Sequence, residues 1–153
     1  MTDDLRELYQ ELILDHSKRP HNFHADEKAS HKAMGHNPLC GDKISLFLSV
    51  DEKGVITNAT FQGSGCAISM ASTSIMTDMI KGKTVSEAQH LFEQVHNACT
   101  GKSATLQETD DDSACKINAL AGVKDYPVRV KCATLAWHTM QSALKNENKA
   151  STE

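Results

Sequence analysis

Apolar residues recur at three- and four-residue steps at Leu5, Leu8, Tyr9, Leu12 and Ile13, behind Asp3 or Asp4 as a cap. This pattern predicts an amphipathic first helix that stops before Pro20. The next stretch, HSKRPHNFHADEKASHKAMGHNP, has no clean period and reads as an irregular segment ending in a short strand near Met34. From Lys43 the alternation in ISLFLSV, the turn DEKG and the return VITNATFQG predict an antiparallel hairpin. GSG breaks the second strand, and CAISMASTSIMTDMIKG then reads as a helix with Ile68, Ala71, Ile75 and Met79 on one face and Gly82 as its stop. Cys66 is thereby placed at a helix start.

Thr84 and Glu87 spell a capping box for a further helix through SEAQHLFEQVHNA, with Ala88, Leu91, Phe92 and Val95 as its buried stripe and Gly101 as its end. The acid-rich TLQETDDDSA reads as a solvated loop and KINALAGV as a short helical piece. Pro127 suits the first turn of a final helix, VRVKCATLAWHTMQSALKN, anchored by Leu135, Met140, Ala143 and Leu144, with Cys132 near its start. NENKASTE has nothing to bury. The expected organisation is one domain over residues 1–147 and a frayed tail over 148–153, with no internal repeat.

Composition changes this picture little. The chain has 153 residues, 39% hydrophobic, 24% charged and 5% aromatic, with a formal net charge of -4, values of an ordinary globular domain that give no basic footprint for nucleic acid. The amino terminus is charged from its third residue, unlike a signal peptide, and no apolar run approaches the roughly 18 residues of a spanning helix. A cytoplasmic setting is expected. In that setting five cysteines, an odd number, read as reduced thiols rather than a disulfide framework.

Three of those cysteines stand in distinctive surroundings: Cys40 in NPLCGD, Cys66 in GSGCAISMAS and Cys132 in VRVKCATLAW, with Asp42 beside the first. Three thiolates and a carboxylate make a tetrahedral set for zinc, or one edge of an iron-sulfur cluster. The absence of any CxxC pair argues against a zinc ribbon or a thioredoxin-type site, so the fold itself must assemble this one. Helix starts stabilise a negative sulfur, which favours Cys66 and Cys132 as thiolates. Cys40 differs, since Gly41 permits a tight turn that can bring Asp42 to the same side as the thiol. Cys99 and Cys115 lack such grammar and read as small buried apolar residues. His36 and His138 read as surface or packing residues. Arg129 and Lys131, flanking the third cysteine, are either solvated helix residues or attractors of an anionic sulfur species.

The segments LDHSKRPHNF, GHNPLCGDKI, FQGSGCAISMASTSIMTDMIKGK and ALAGVKDYPVRVKCATLAWHTM, in that order, resemble the signatures of the SufU/IscU (NifU amino-terminal-like) iron-sulfur cluster assembly family. Within it the chain resembles the SufU branch, because Lys131 precedes the third cysteine where scaffolds carry a histidine and because the interval from Cys66 to Cys132 holds an extra stretch. The resemblance implies an α+β fold, a small antiparallel β-sheet packed by several α-helices, with zinc on Cys40, Asp42, Cys66 and Cys132. It also implies a sulfurtransferase-like role. A SufS-type, pyridoxal-phosphate cysteine desulfurase would hand persulfide sulfur to Cys40, freed from zinc by a histidine of that partner, and downstream iron-sulfur assembly proteins would receive it. Arg129 would steer or hold the released thiolate. The alternative in the same family is a scaffold carrying a [2Fe-2S] cluster.

Overall fold

The computed structural model describes residues 3–38, 41–100, 116, 119–123, 126–145 and 149–151. Helix α1 (Asp3–Lys18) leads through an irregular connection to β1 (His31–Asn37), β2 (Asp42–Val50) and β3 (Ile56–Ser64). Helices α2 (Ala67–Ile80) and α3 (Val85–Thr100) follow, then a short 3-10 turn (Ala121–Val123), α4 (Pro127–Leu144) and β4 (Lys149–Ser151). Antiparallel pairing joins β1 to β2 and β2 to β3, and β4 adds to β1 in parallel, giving the order β3-β2-β1-β4. The fold is α+β, as the sequence implied.

Period-two alternation decides what the sheet buries. On β2, Asp42, Ile44, Leu46 and Leu48 face inward, and on β1 the inward set is Ala33, Gly35 and Asn37. Helix α4 crosses this face and comes closest at Gly35, where an added Cβ would collide with the Thr139 hydroxyl and stand 3.2 Å from the Leu135 side chain. Helix α2 packs between α1, α4 and β3, and the core between helices and sheet is filled by Trp137, Leu135, Ile75, Met76, Phe61 and Leu46.

Several expectations hold at residue level. The Thr84–Glu87 capping box is reciprocal: Glu87 N–H donates to Thr84 Oγ1 (3.1 Å) and Thr84 N–H to Glu87 Oε1 (3.0 Å). That hydrogen bonding holds the Glu87 carboxyl below its usual range. Pro127 occupies the first turn of α4. The expected antiparallel hairpin of β2 and β3 forms, with Phe47 opposite Thr60 and a register shift at Ser49 and Val50.

Other elements differ. The strand expected near Met34 extends over His31–Asn37, because β2 pairs with its full length. The hydroxyl residues of helix α2 do not face solvent: Ser69, Ser72, Thr73, Ser74 and Thr77 are buried with its apolar residues, since α2 is enclosed by three neighbours. Thr73 and Thr77 bond within the helix, to the Ser69 and Ser74 carbonyls, while Ser72 and Ser74 bond to neighbouring segments. The carboxyl end expected to fray from residue 148 instead contributes β4, whose backbone pairs with Met34, Gly35 and His36 on the free edge of β1. The loop expected over TLQETDDDSA, the stop at Gly101 and Cys115 lie outside the described residues. Among the described residues no helix is long and apolar enough to cross a membrane.

His138 packs from α4 against α3, edge-on to Phe92 at 5.2 Å and to His96 at 5.7 Å between ring centroids. Burial first, and then the neighbouring His96, lower its pKa below the ordinary histidine value. The folded chain thus keeps His138 neutral where the unfolded chain protonates it. Its contribution to stability is full above about 6.5, the unfolded value, and is lost as pH falls through the lower folded value. We expect the urea midpoint to drop between neutral and mildly acidic pH, and to drop less for His138→Gln; equal slopes for the two proteins would refute this.

Candidate metal centre

Three elements deliver donor atoms to one point. Asp42 opens β2 and faces inward in phase with Ile44, so its carboxylate lies beneath the sheet and is fully buried. Antiparallel pairing places Lys43 opposite Ser64, which brings the chain leaving β3 back to Asp42, and the Cys66 N–H donates to Asp42 Oδ1 at 2.9 Å. Gly65 makes this approach possible: a Cβ there would strike the Asp42 carboxylate and stand 3.1 Å from its Cα. Cys132 comes from α4, fully buried. A carboxylate oxygen of Asp42 and the sulfurs of Cys66 and Cys132 all lie within 4.8 Å of one another.

Cys66 caps α2, its Sγ accepting from the Ser69 N–H at 3.4 Å, and is the half-buried member of the group. The helix-start argument applies to it fully. It does not apply to Cys132, expected near a helix start: Cys132 lies five residues past Pro127, beyond the first turn, where backbone amides already have helical partners. What surrounds the Cys132 sulfur instead is Asn37, whose Nδ2 lies 3.6 Å from it and 3.4 Å from Asp42 Oδ2. Ser72 Oγ donates to the Ala133 carbonyl, fastening α2 to α4 one residue from the sulfur.

Asn37 escaped the sequence reading. It sits directly opposite Asp42 in the β1–β2 register and is fully buried, so its amide spans two donors of the centre. The signal was present in GHNPLCGD, where extending the strand by three residues past Met34 turns Asn37 inward. Cys40, between Pro38 and Gly41, lies outside the described residues, while Gly41 has φ +70, a conformation that suits a turn. Arg129 is exposed on α4 three residues before Cys132, and Lys131 is half-buried. His36 points to solvent and His138 belongs to the α3–α4 contact. Cys99 is buried, its thiol donating to the Leu120 carbonyl at 3.7 Å, and burial pushes its pKa up to about 12.

The donor set fits a zinc-type ion. Among the described residues, the two hydrogen-bond donors that reach the buried Asp42 carboxylate, the Cys66 amide and the Asn37 side chain, are neutral. A buried carboxylate beside two thiols is costly without a compensating positive charge, and sulfur with carboxylate oxygen is a zinc donor combination. Such a donor group, set where β-strand ends meet two helices, is a candidate metal or cluster site on an α+β domain.

The chain matches the family described as NifU-like N terminal domain over residues 8–133. It is 38% identical over 145 residues to the zinc-dependent sulfurtransferase SufU of Bacillus subtilis (strain 168), covering 94% of both chains. It is also 38% identical over 146 residues to the iron-sulfur cluster assembly scaffold protein IscU of Streptococcus pyogenes serotype M1, covering 95% of this chain and 88% of that one. Among solved structures, FiSufU of the thermophilic Fervidobacterium islandicum AW-1, a candidate scaffold for the SUF system, superposes with a TM-score of 0.78 at 37% identity, covering 91% of this chain and 98% of that one. The chain belongs to the NifU-like N-terminal domain (IscU/SufU) family of iron-sulfur cluster assembly proteins.

Proposed function

We propose that this chain is a zinc-dependent sulfur acceptor and carrier for iron-sulfur cluster assembly, working as a single domain over residues 1–147. Asp42, Cys66 and Cys132 would hold the ion together with Cys40. The observation that carries the reading is the convergence of two thiols and a buried carboxylate within 4.8 Å, two residues from a third thiol in the chain. Bound zinc would keep the thiols ionised and withhold the acceptor until a partner engages.

The chemistry assigned to the protein's own residues is thiol-persulfide exchange. The Cys40 thiolate attacks the outer sulfur of a persulfide on a SufS-type cysteine desulfurase; a sulfur-sulfur bond forms at Cys40 and the one on the desulfurase breaks, releasing its cysteine as thiolate, with no net oxidation. Arg129, exposed three residues before Cys132, supplies a permanent positive charge to steer the incoming anionic sulfur. Asn37 and the Cys66 amide keep the Asp42 carboxylate in place.

A scaffold for a [2Fe-2S] cluster would use the same three thiols and Asp42, and the resemblance to an IscU at 38% identity supports it. The identity to a zinc-dependent sulfurtransferase over 94% of both chains is also 38% and does not separate the two readings; Lys131 before the third cysteine favours the carrier. Metal analysis of the protein purified without added iron tests this. One zinc per chain and no visible absorbance is the expected result; stoichiometric iron and sulfide with a visible chromophore would establish the scaffold instead.

A further inference from the structure

A second group of metal-type donors lies far from the cysteine centre. Asp78 is twelve residues after Cys66, so the two are separated by about 18 Å along α2 at a rise of ~1.5 Å per residue. There His16 from the end of α1, His21 from the connection after Pro20 and Asp78 from the last turns of α2 bring one ligand atom each within 4.8 Å of one another. The imidazole rings of His16 and His21 lie 4.3 Å apart. Burial is graded: His16 is 4% exposed, whereas the side chains of His21 and Asp78 are 47% and 27% exposed, leaving a path from solvent.

Two of the three donor side chains, those of His16 and Asp78, are held by a partner outside the group, and His21 is held there through its backbone N–H. His16 Nδ1 lies 2.7 Å from Ser74 Oγ, which also accepts the His21 N–H at 2.7 Å. In the tautomer whose Nδ1–H donates to that hydroxyl, Nε2 of His16 is the atom with a lone pair for a ligand. Asn22 Nδ2 donates to Asp78 Oδ1 (3.0 Å) and to Thr77 Oγ1 (3.0 Å), and Lys81 Nζ donates to Asn22 Oδ1. Asn22 adopts φ +58, a turn conformation that this bonding offsets. His21 Nδ1 meets Asp78 Oδ2 at 2.5 Å.

An ion pair between His21 and Asp78 accounts for two members of the group. It does not account for a second imidazole, buried and oriented by a serine, tilted against the first with ring centroids 4.3 Å apart. Two imidazoles and a carboxylate with outer hydrogen-bond partners are a donor set for divalent first-row ions, and three protein ligands leave a coordination position open. We propose that His16, His21 and Asp78 form a second metal site, for a divalent first-row transition ion such as zinc, that clamps the segment after α1 onto the carboxyl-terminal half of α2. This site is independent of the cysteine centre and of the sulfur-carrier reading.

The test uses the full chain already saturated with one equivalent of zinc, titrated with cobalt(II). Cobalt bound to thiolate has an intense near-ultraviolet charge-transfer band that nitrogen and oxygen ligands do not produce, so a second equivalent bound without that band reports the histidine site. His21→Ala and Asp78→Asn, both at the surface, are each expected to weaken this second binding by at least about tenfold, while His96→Ala leaves it unchanged. In the wild-type protein, hydrogen exchange of the backbone amides of residues 19–24 should slow on addition of the second equivalent. Absence of a second equivalent, binding that survives both variants, or exchange that does not respond would show that the group is a hydrogen-bonded clamp without metal, and would overturn the proposal.

Discussion

Cys40→Ala is expected to lower sulfur acceptance from a cysteine desulfurase by at least about a thousandfold, the scale on which deletion of a covalent nucleophile acts. The other four thiols are poor substitutes, for reasons that differ. Cys132 is fully buried behind the Asn37 amide, and Cys66 is committed to capping α2 through the Ser69 N–H. Cys99 is buried with its pKa pushed up to about 12, so its thiolate is absent at neutral pH. Cys115 is read as a buried apolar residue from its sequence surroundings. Only Cys40 falls, along the sequence, between the end of β1 and the start of β2, next to Gly41. Incubation with desulfurase and cysteine, followed by peptide mass spectrometry without reductant, should place the added sulfur on Cys40, and Cys99→Ala and Cys115→Ala should accept sulfur normally. Persulfide found mainly on Cys66 or Cys132, or undiminished transfer by Cys40→Ala, would sink the assignment.

The hairpin of β2 and β3, the capping box of α3 and the proline start of α4 were legible because each is a local signal: alternation, a four-residue reciprocal bond and a restricted φ. Continuing the ISLFLSV alternation two residues backward already puts Asp42 in phase with Ile44 and Leu46, so the inward carboxylate was written in the strand pattern. What local pattern could not supply was register and enclosure. Asn37 becomes a partner of Asp42 only when β1 is seen to pair residue by residue with β2, and a strand of His, Lys, Gly and Asn gives weak periodicity. The serine and threonine residues of α2 look like a solvent face and are buried because three elements surround the helix. Cys132 was drawn near a helix start by its distance from Pro127, yet its surroundings derive from Asn37 across the fold and not from unpaired amides. The pairing of His16 with His21 and Asp78 likewise depends on how α1 docks on α2, 62 residues of chain separating the outer members.

Asp42→Ala and Gly65→Ala should both weaken zinc binding, by routes that the metal-free protein distinguishes. Asp42→Ala removes a ligand and leaves three thiols, so zinc is retained with an affinity reduced by at least about tenfold, and sulfur transfer changes because the acceptor is held less firmly. It also orphans the Cys66 N–H, at a cost of roughly 1–3 kcal/mol if that amide stays dry, while relieving the burial of an uncompensated carboxylate. Gly65→Ala keeps every donor but sets a methyl group against the Asp42 carboxylate and 3.1 Å from its Cα, so strand end and helix start must part. That variant should lose stability without zinc as well as with it, whereas Asp42→Ala should be close to wild type without zinc. For the wild-type protein, free zinc at about a thousand times its Kd is worth ~4 kcal/mol of stability, which for a chain of this length is a Tm difference on the order of 10 °C between loaded and chelated forms. Chelation that leaves Tm unchanged would remove the metal from the account of this centre. Asp42→Ala with wild-type zinc affinity and wild-type exchange rate would remove Asp42 from the ligand set, leaving its buried carboxylate as a structural acceptor for Cys66 and Asn37.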